Sequence, residues 1–498
     1  MTAEYHDAIV IGSGAGGSAT AWQLARAGLR VLLLEKGDPL PRDGSTLDPT
    51  RVVRDGAFLA REPWSDGRGG NLVPEEHYNL GGKTKWYGAA LFRFPEVEFQ
   101  PDPSLHLRGW PITPADLAPY YAQAEQLLGV RDFAVEADLQ RVVARLTAGS
   151  SPWSVRPVPL ALDAAIAQDP IEASHFDGFA SVAGHKGEAE SRLLMRLPGS
   201  AALRIETGAE VTELLADPLD SRRVGGVKLA DGRTFLARET VLAAGALHSP
   251  RLLGRYFVRH GLTSQLPAAA HVGRHLKLHL LTAMIAVSQG RKTDLLRKTC
   301  VLTHPDFPHS SVQPLGFDAG LIAGLMPRML PGAIATALAE RAYGYFLQTE
   351  EGSHPENAVH ERLLPTGPER VMDYDERRLP DALREHRAFA RALQRDLLRS
   401  GCLAFTRRIG LSGTAHACGT LVMGTSGQDS VVAADGRVHG MRGLAVADGS
   451  VLPRISSVNP ALTIYAWGLR VGALLSGAGP RADAHATGTA ITSPTEFA

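Results

Sequence analysis

The chain has 498 residues, which at roughly 150 residues per domain suggests about three domains. Its 52 Lys+Arg balance 52 Asp+Glu, and 44% of residues are hydrophobic against 21% charged. This excludes a disordered chain and gives no basic excess of the kind a nucleic-acid binder shows. Three scattered cysteines, Cys300, Cys402 and Cys418, form no disulfide framework and no CxxC pair, so no metal site is expected.

Met1 to Asp7 are short and polar, without a basic n-region or a cleavage site. No apolar run is long enough to span a bilayer, so a cytoplasmic protein without a transmembrane segment is expected. Ala8 to Ile11 then read as a buried parallel strand. Gly12, Gly14 and Gly17 make GxGxxG, and Ser18 to Ala27 have helical spacing until Gly28. Val31 to Leu34 predict a second strand, closed by Glu35. Gly12 allows the tight turn, Gly14 lets backbone approach a pyrophosphate, and Gly17 lets the helix sit close to the sheet. The helix N-terminus favours phosphate charge, and Glu35 stands where a ribose-binding acid is usual. A bare GxGxxG is weak; strand, glycines, helix, strand and acid in register are strong. The fingerprint does not separate NAD from FAD. No second copy occurs, so one dinucleotide is expected.

Asn79 to Phe94 read NLGGKTKWYGAALFRF. Gly81, Gly82 and Gly88 would let backbone lie flat against a planar ring flanked by Trp86 and Tyr87. Taken alone, the segment is better read as a Gly-rich surface turn with aromatic anchors. Thr113 as N-cap and Pro114 at the first position predict a helix ending at Gly129. Ile205 to Leu215 and Val224 to Leu229 predict strands, with Asp231-Gly232 a hairpin turn. Thr240 to Ala244 predict a further strand, and Gly245, Ser249 and Pro250 start a helix. Leu278 to Val287 are strand-like. Ala319 to Ala339 read as either a lid or ordinary helix packing. Leu383, Ala390, Leu393 and Leu397 mark one face of an Arg-rich helix.

Gly413 to Gly424 read GTAHACGTLVMG, followed by VADGSVLPRISSVNPALTIYAWGLRVGALL. With the amino-terminal fingerprint, the GG segment at Gly81 and the GAxxSP segment at Gly245, this resembles the glucose–methanol–choline (GMC) oxidoreductases. Members are FAD-dependent and oxidise alcohols. The resemblance implies that His416 is the catalytic histidine facing the flavin and that Asn459 fills the second catalytic position. That His/Asn pairing is similar to pyranose oxidase and bacterial sugar-type members. It also implies that Asp448 and Gly449 hold the pyrophosphate and ribityl chain, with Pro460 and Thr463 beside the ring. Ala15, Thr84 and Val211 complete the expected cofactor-binding set with Gly12, Gly14, Gly17, Glu35, Gly81, Gly82, Gly88 and Gly245. Some sugar oxidases attach FAD through a histidine in the segment matching 81–88. None occurs there, so non-covalent FAD is expected.

The chemistry fits the residue types. A neutral histidine suits removal of a hydroxyl proton near neutral pH, and an amide can bond the substrate oxygen without competing for that proton. The expected substrate is a small-molecule alcohol, with a sugar, glycoside or aminoglycoside hydroxyl favoured over a sterol or other alcohol. Oxygen or another acceptor would complete the reaction. A flavin-dependent lyase, a non-catalytic flavin binder and an NAD-dependent dehydrogenase are the alternatives. The expected fold is α/β: a Rossmann-like FAD-binding domain (1–100, 200–275 and 413–476) interleaved with an α+β, sheet-plus-helices substrate domain (101–199 and 276–412). A flexible tail over 477–498 is expected. Motifs at both ends must meet at one FAD, which favours two interleaved domains over three in tandem.

Overall fold

The computed structural model describes residues 4–197, 202–292, 296–315, 320–322, 331–365, 367–411 and 416–477. The first apolar run forms the strand Tyr5–Ile11, whose last four residues are buried. It pairs in parallel with Val31–Leu34 on one side and Thr234–Leu242 on the other. Leu203–Glu206 and Leu444–Val446 extend the two flanks, again in parallel. The first parallel crossover runs through the helix Ala15–Arg26. Burial on both faces explains why the central strands read as unbroken apolar runs.

The predicted strand Ile205–Leu215 is two strands. Leu203–Glu206 belongs to the parallel layer and Val211–Asp217 to a meander with Asp220–Leu229 and Thr234–Leu242. The chain changes direction between them at Gly208, which has φ +62°. Thr240 to Leu242 form the end of the last meander strand.

The helix Pro114–Leu128 has the expected boundaries. Thr113 and Asp116 form a reciprocal capping box, and Gly129 ends the helix at φ +69°. Its buried face, Leu117, Tyr120, Tyr121, Ala124 and Leu128, shares one apolar core with the parallel strands. It packs on the closing helix Ala461–Ser476, with Tyr121 Oη 2.7 Å from Thr463 Oγ1. This helix therefore sits with the nucleotide sheet, although its sequence position falls in the segment expected for the second domain.

A six-stranded antiparallel sheet forms the second layer. Its order is Leu403–Arg408, Leu280–Val287, Ala342–Thr349, Ser310–Pro314, Cys300–Thr303 and Ser154–Pro157. Side chains alternate across it. Met284, Tyr345, Leu347 and Val312 face the helix Pro380–Arg399, where Leu383, Phe389, Leu393 and Leu397 are buried and Ala390 is half-buried. The alternate residues Leu281, Ala283 and Phe346 face a cavity on the other side. The predicted strand Leu278–Val287 is broken at His279. Lys277–Leu278 pairs with Ala417–Cys418, while Leu280–Val287 enters the large sheet.

The first sheet takes strands from residues 5–34, 203–242 and 444–446, and the second from 154–157, 280–349 and 403–408. The chain thus crosses repeatedly between two cores. Much of the 319–339 segment lies outside the described residues, as do 412–415 and the tail from 478. Gly332–Ala339 is a helix. Among the described residues no helix is long and apolar enough to cross a membrane.

Candidate active site

At the first strand–helix turn, the glycines have separate steric reasons. Gly12 has φ +101°, and a Cβ there would stand 2.4 Å from the Ala243 carbonyl oxygen. A Cβ on Gly17 would stand 2.0 Å from the Gly12 oxygen. Gly14 is the opposite case: a Cβ would meet nothing within 4 Å. Its backbone faces a cavity of about 740 Å³ that Gly12 and Ala15 also line. Helix Ala15–Arg26 has no side-chain cap, so its first amides are available to an anion.

Ser13, which the fingerprint reading passed over, ties three segments together. Its amide and hydroxyl donate to Glu35 Oε2 at 2.9 and 2.6 Å, and its Oγ accepts from the Gly81 amide at 2.9 Å. Glu35 Oε1 accepts from the Gly37 amide at 3.0 Å. Burial pushes the Glu35 carboxyl above its ordinary range, and these bonds oppose the shift. Gly81 has φ +87° and leads into the turn Gly82–Lys85. Gly82 lies against the fingerprint, its added Cβ 3.2 Å from Gly14 Cα. Thr84 lines the cavity and donates to the Gly81 oxygen at 2.6 Å.

The carboxyl-terminal motif reaches the same cavity. Asp448 Oδ2 accepts from the Gly245 amide at 2.9 Å and Ser249 Oγ at 2.5 Å, and Oδ1 accepts from the Ser450 amide at 2.9 Å. Glu35, Val211, Gly245, Asp448, Gly449 and Pro460 all line the cavity. Thr463 does not; it is fully buried behind it, against Tyr121. Gly17 packs helix against strand, and Gly81 and Gly82 shape the wall through Ser13 and Gly14.

His416 and Asn459 line the cavity, and their partners His279 and Gln313 tie them to the second sheet. The pairing of Leu278 with Ala417 sets His279 beside His416, with Nδ1 2.8 Å from Nδ1. Burial drives the His416 pKa well below its ordinary value, and the neighbouring His279, Lys298 and Lys83 add to this. Asn459 Oδ1 accepts from Gln313 Nε2 at 2.7 Å. Leu281, Ala283, Leu315, Phe346 and Ile409 form an apolar wall. At Gly88, an added Cβ would collide with Asp177 Oδ1 at 2.1 Å and Lys298 Nζ at 2.4 Å. Those two groups form a buried ion pair at 3.0 Å. Neither they nor His279 and Gln313 carry a local sequence motif; tertiary packing brings them here, Gln313 from the strand Ser310–Pro314, His279 from the break between two strands, and Asp177 and Lys298 from irregular segments.

The residues present fit a dinucleotide. Gly14 and Gly245 each leave open space where a Cβ would point, and Gly245 and Ala15 begin two helices. An acid, Glu35, stands beyond one turn, and a second acid, Asp448, fastens the other. Gly88, Pro460, His416 and Asn459 line the same cavity and would be available to border a planar ring.

Comparison with known proteins agrees. Residues 7–304 match the FAD dependent oxidoreductase family and residues 370–468 the GMC oxidoreductase family. A 6'''-hydroxyparomomycin C oxidase of Streptomyces lividus is 30% identical, covering 93% of this chain and 90% of its own. A paromamine 6'-oxidase of Streptomyces fradiae is 28% identical, over 95% and 91%. A formate oxidase of Aspergillus oryzae shares the fold, with a TM-score of 0.68 at 15% identity over 96% of this chain and 99% of its own. From fingerprint to closing helix, then, the chain belongs to the GMC oxidoreductases and is an FAD-dependent enzyme acting on CH–OH groups.

Proposed function

We propose that this enzyme oxidises a hydroxyl group of an aminoglycoside-like sugar, with His416 as the base. The observation that carries the assignment is that His416 and Asn459 line the same cavity as Gly88, Pro460 and the fingerprint glycines. The two Streptomyces relatives, named as oxidases of paromomycin-type compounds, support the substrate class. FAD, when bound, supplies the acceptor for the hydride from the substrate carbon. His416 takes the hydroxyl proton. Asn459 has its carbonyl oxygen engaged by Gln313, so its Nδ2 is left to donate to the substrate oxygen. The apolar wall of Leu281, Ala283, Phe346 and Ile409 keeps bulk water from the reacting carbon. The flavin is held without a covalent bond, and oxygen takes the electrons.

The same apolar wall favours a second reading, an alcohol with an apolar body. Both readings are tested by mixing the oxidised holoenzyme anaerobically with paromamine-type and long-chain alcohols. The sugar should bleach the flavin, and admitted oxygen should restore it. Bleaching by the long-chain alcohol alone would overturn the substrate class, and no bleaching by any alcohol would favour a lyase. His416→Ala should keep its flavin yet lose reduction rate by roughly 10²–10⁴-fold, with a smaller loss for Asn459→Ala. Wild-type reduction in His416→Ala would remove the histidine from its role.

A further inference from the structure

His279 lies outside the motifs described above, yet both of its ring nitrogens have a partner at the site. Nε2 lies 2.7 Å from the Ser456 carbonyl oxygen. A carbonyl can only accept, so the proton on this ring sits on Nε2. The ring is buried and neutral, its pKa pushed down to about 4 by desolvation. Its Nδ1 is therefore a bare lone pair. That lone pair faces His416 Nδ1 at 2.8 Å, and the rings meet edge to face with 77° between planes. A bond between two Nδ1 atoms needs one proton, and His279 has none there to give. His416 must donate it, which leaves His416 Nε2 unprotonated. The described residues offer Nε2 no hydrogen-bond partner, and the ring lines the cavity.

The anchor is itself fixed. Ser456 is a non-glycine residue at φ +77°, a conformation that persists only when its surroundings impose it. Its amide donates to Glu350 Oε1 at 3.1 Å, and Glu350 is paired in the interior with Arg454 at 2.5 Å. The buried ion pair holds Ser456, the Ser456 carbonyl holds the His279 proton, and His279 holds the His416 proton.

We propose that His279 is a positioning residue that locks His416 in the Nδ1–H tautomer, presenting Nε2 as the base toward the substrate hydroxyl. This rests on the role proposed for His416 and adds how its lone pair is aimed.

Two substitutions separate this from a structural role. His279→Asn keeps an acceptor oxygen near the Nδ1 position but loses the bond to Ser456. His279→Gln keeps a donor near the Nε2 position but loses the acceptor for His416. In anaerobic stopped-flow reduction of the holoenzymes, His279→Gln and His279→Leu should be slower than wild type by roughly 10–100-fold. His279→Asn should recover most of that loss, and all should retain the wild-type flavin spectrum. Two-bond ¹H–¹⁵N spectra of histidine-labelled holoenzyme, assigned through His416→Ala, should show His416 as Nδ1–H in wild type and Asn, and not in Gln or Leu. Rescue by Gln instead of Asn, wild-type rates in Leu, or an Nε2–H His416 in the unaltered protein would each overturn the proposal. Wild-type reduction in His416→Ala would instead overturn the role of His416 itself. Should Leu not fold, the wild-type spectrum and the Asn–Gln contrast still decide.

Discussion

Single residues in this enzyme are set by partners far away in sequence, and His309 shows the consequence for stability. It bridges Glu385 through Nδ1 and Asp102 through Nε2, each at 2.8 Å. The Glu385 bond, then the Asp102 bond, raise its pKa to about 9 against the opposing effect of burial. A histidine raised in the folded state contributes stability fully below its unfolded value near 6.5 and loses it as pH climbs through the folded value. The thermal midpoint of wild type should therefore fall more steeply between about pH 6.5 and 9 than that of His309→Gln. Parallel slopes in calorimetry across that window would refute the assignment. The proposed active site obeys the same logic of distance. His416 and Asn459 sit inside recognisable motifs and were legible. His279 is 137 residues from His416, and Gln313 is 146 from Asn459. Their places beside His416 and Asn459 follow from tertiary packing, which a single sequence does not display.

At the scale of elements, what is local in the chain was legible. The helix Pro114–Leu128 announced itself through Thr113, Pro114 and Gly129, because caps act within one turn. The break between Glu206 and Val211 was not, since both halves are strand-like and only the sheet each joins differs. The packing of the first helix on Ala461–Ser476 was half visible. The glycines could be seen, but their meeting could not. An added Cβ on Gly468 would stand 2.4 Å from the Gly16 oxygen and 2.9 Å from its Cα. The Gly16 oxygen and the Gly468 oxygen both accept from Thr20 Oγ1 at 2.9 Å, so neither backbone is free to yield. Alanine in a helix interior gains about 1 kcal/mol over glycine. Overpacking against fixed backbone costs about 1–3 kcal/mol. Gly468→Ala should therefore be destabilising, seen as a lower denaturant midpoint of the holoenzyme. A higher midpoint would mean that the helices separate easily and that the contact is not tight.

For the whole molecule, the zero net charge and the length said little about chemistry; the meeting of distant segments says most. The cavity is closed by residues near both ends of the chain, and Asp448 is a junction between them. Its carboxylate fastens the strand end at Leu444–Val446 to the start of the helix Gly245–Arg259. Ser249 Oγ also accepts from the Ala244 amide at 3.1 Å, so its proton is committed to Asp448. Asp448→Asn keeps the size but replaces one acceptor oxygen with a donor. If the amide nitrogen faces Gly245, that N–H loses its partner in a buried turn; if it faces Ser450, the Ser450 N–H does. A buried donor left unsatisfied costs about 1–3 kcal/mol. The turn it deforms lies against the cofactor cavity, so the loss should appear in FAD binding as well as in folding. A ligand that binds only the folded state at 100 times its Kd adds about 2.7 kcal/mol of stability. Wild-type apoprotein should therefore gain a large thermal shift on adding FAD. Asp448→Asn should need roughly 5- to 150-fold more FAD for the same shift. An unchanged FAD titration alongside a lowered apoprotein midpoint would make Asp448 a folding residue only, and would move the cofactor's anchoring to Glu35 and the first turn.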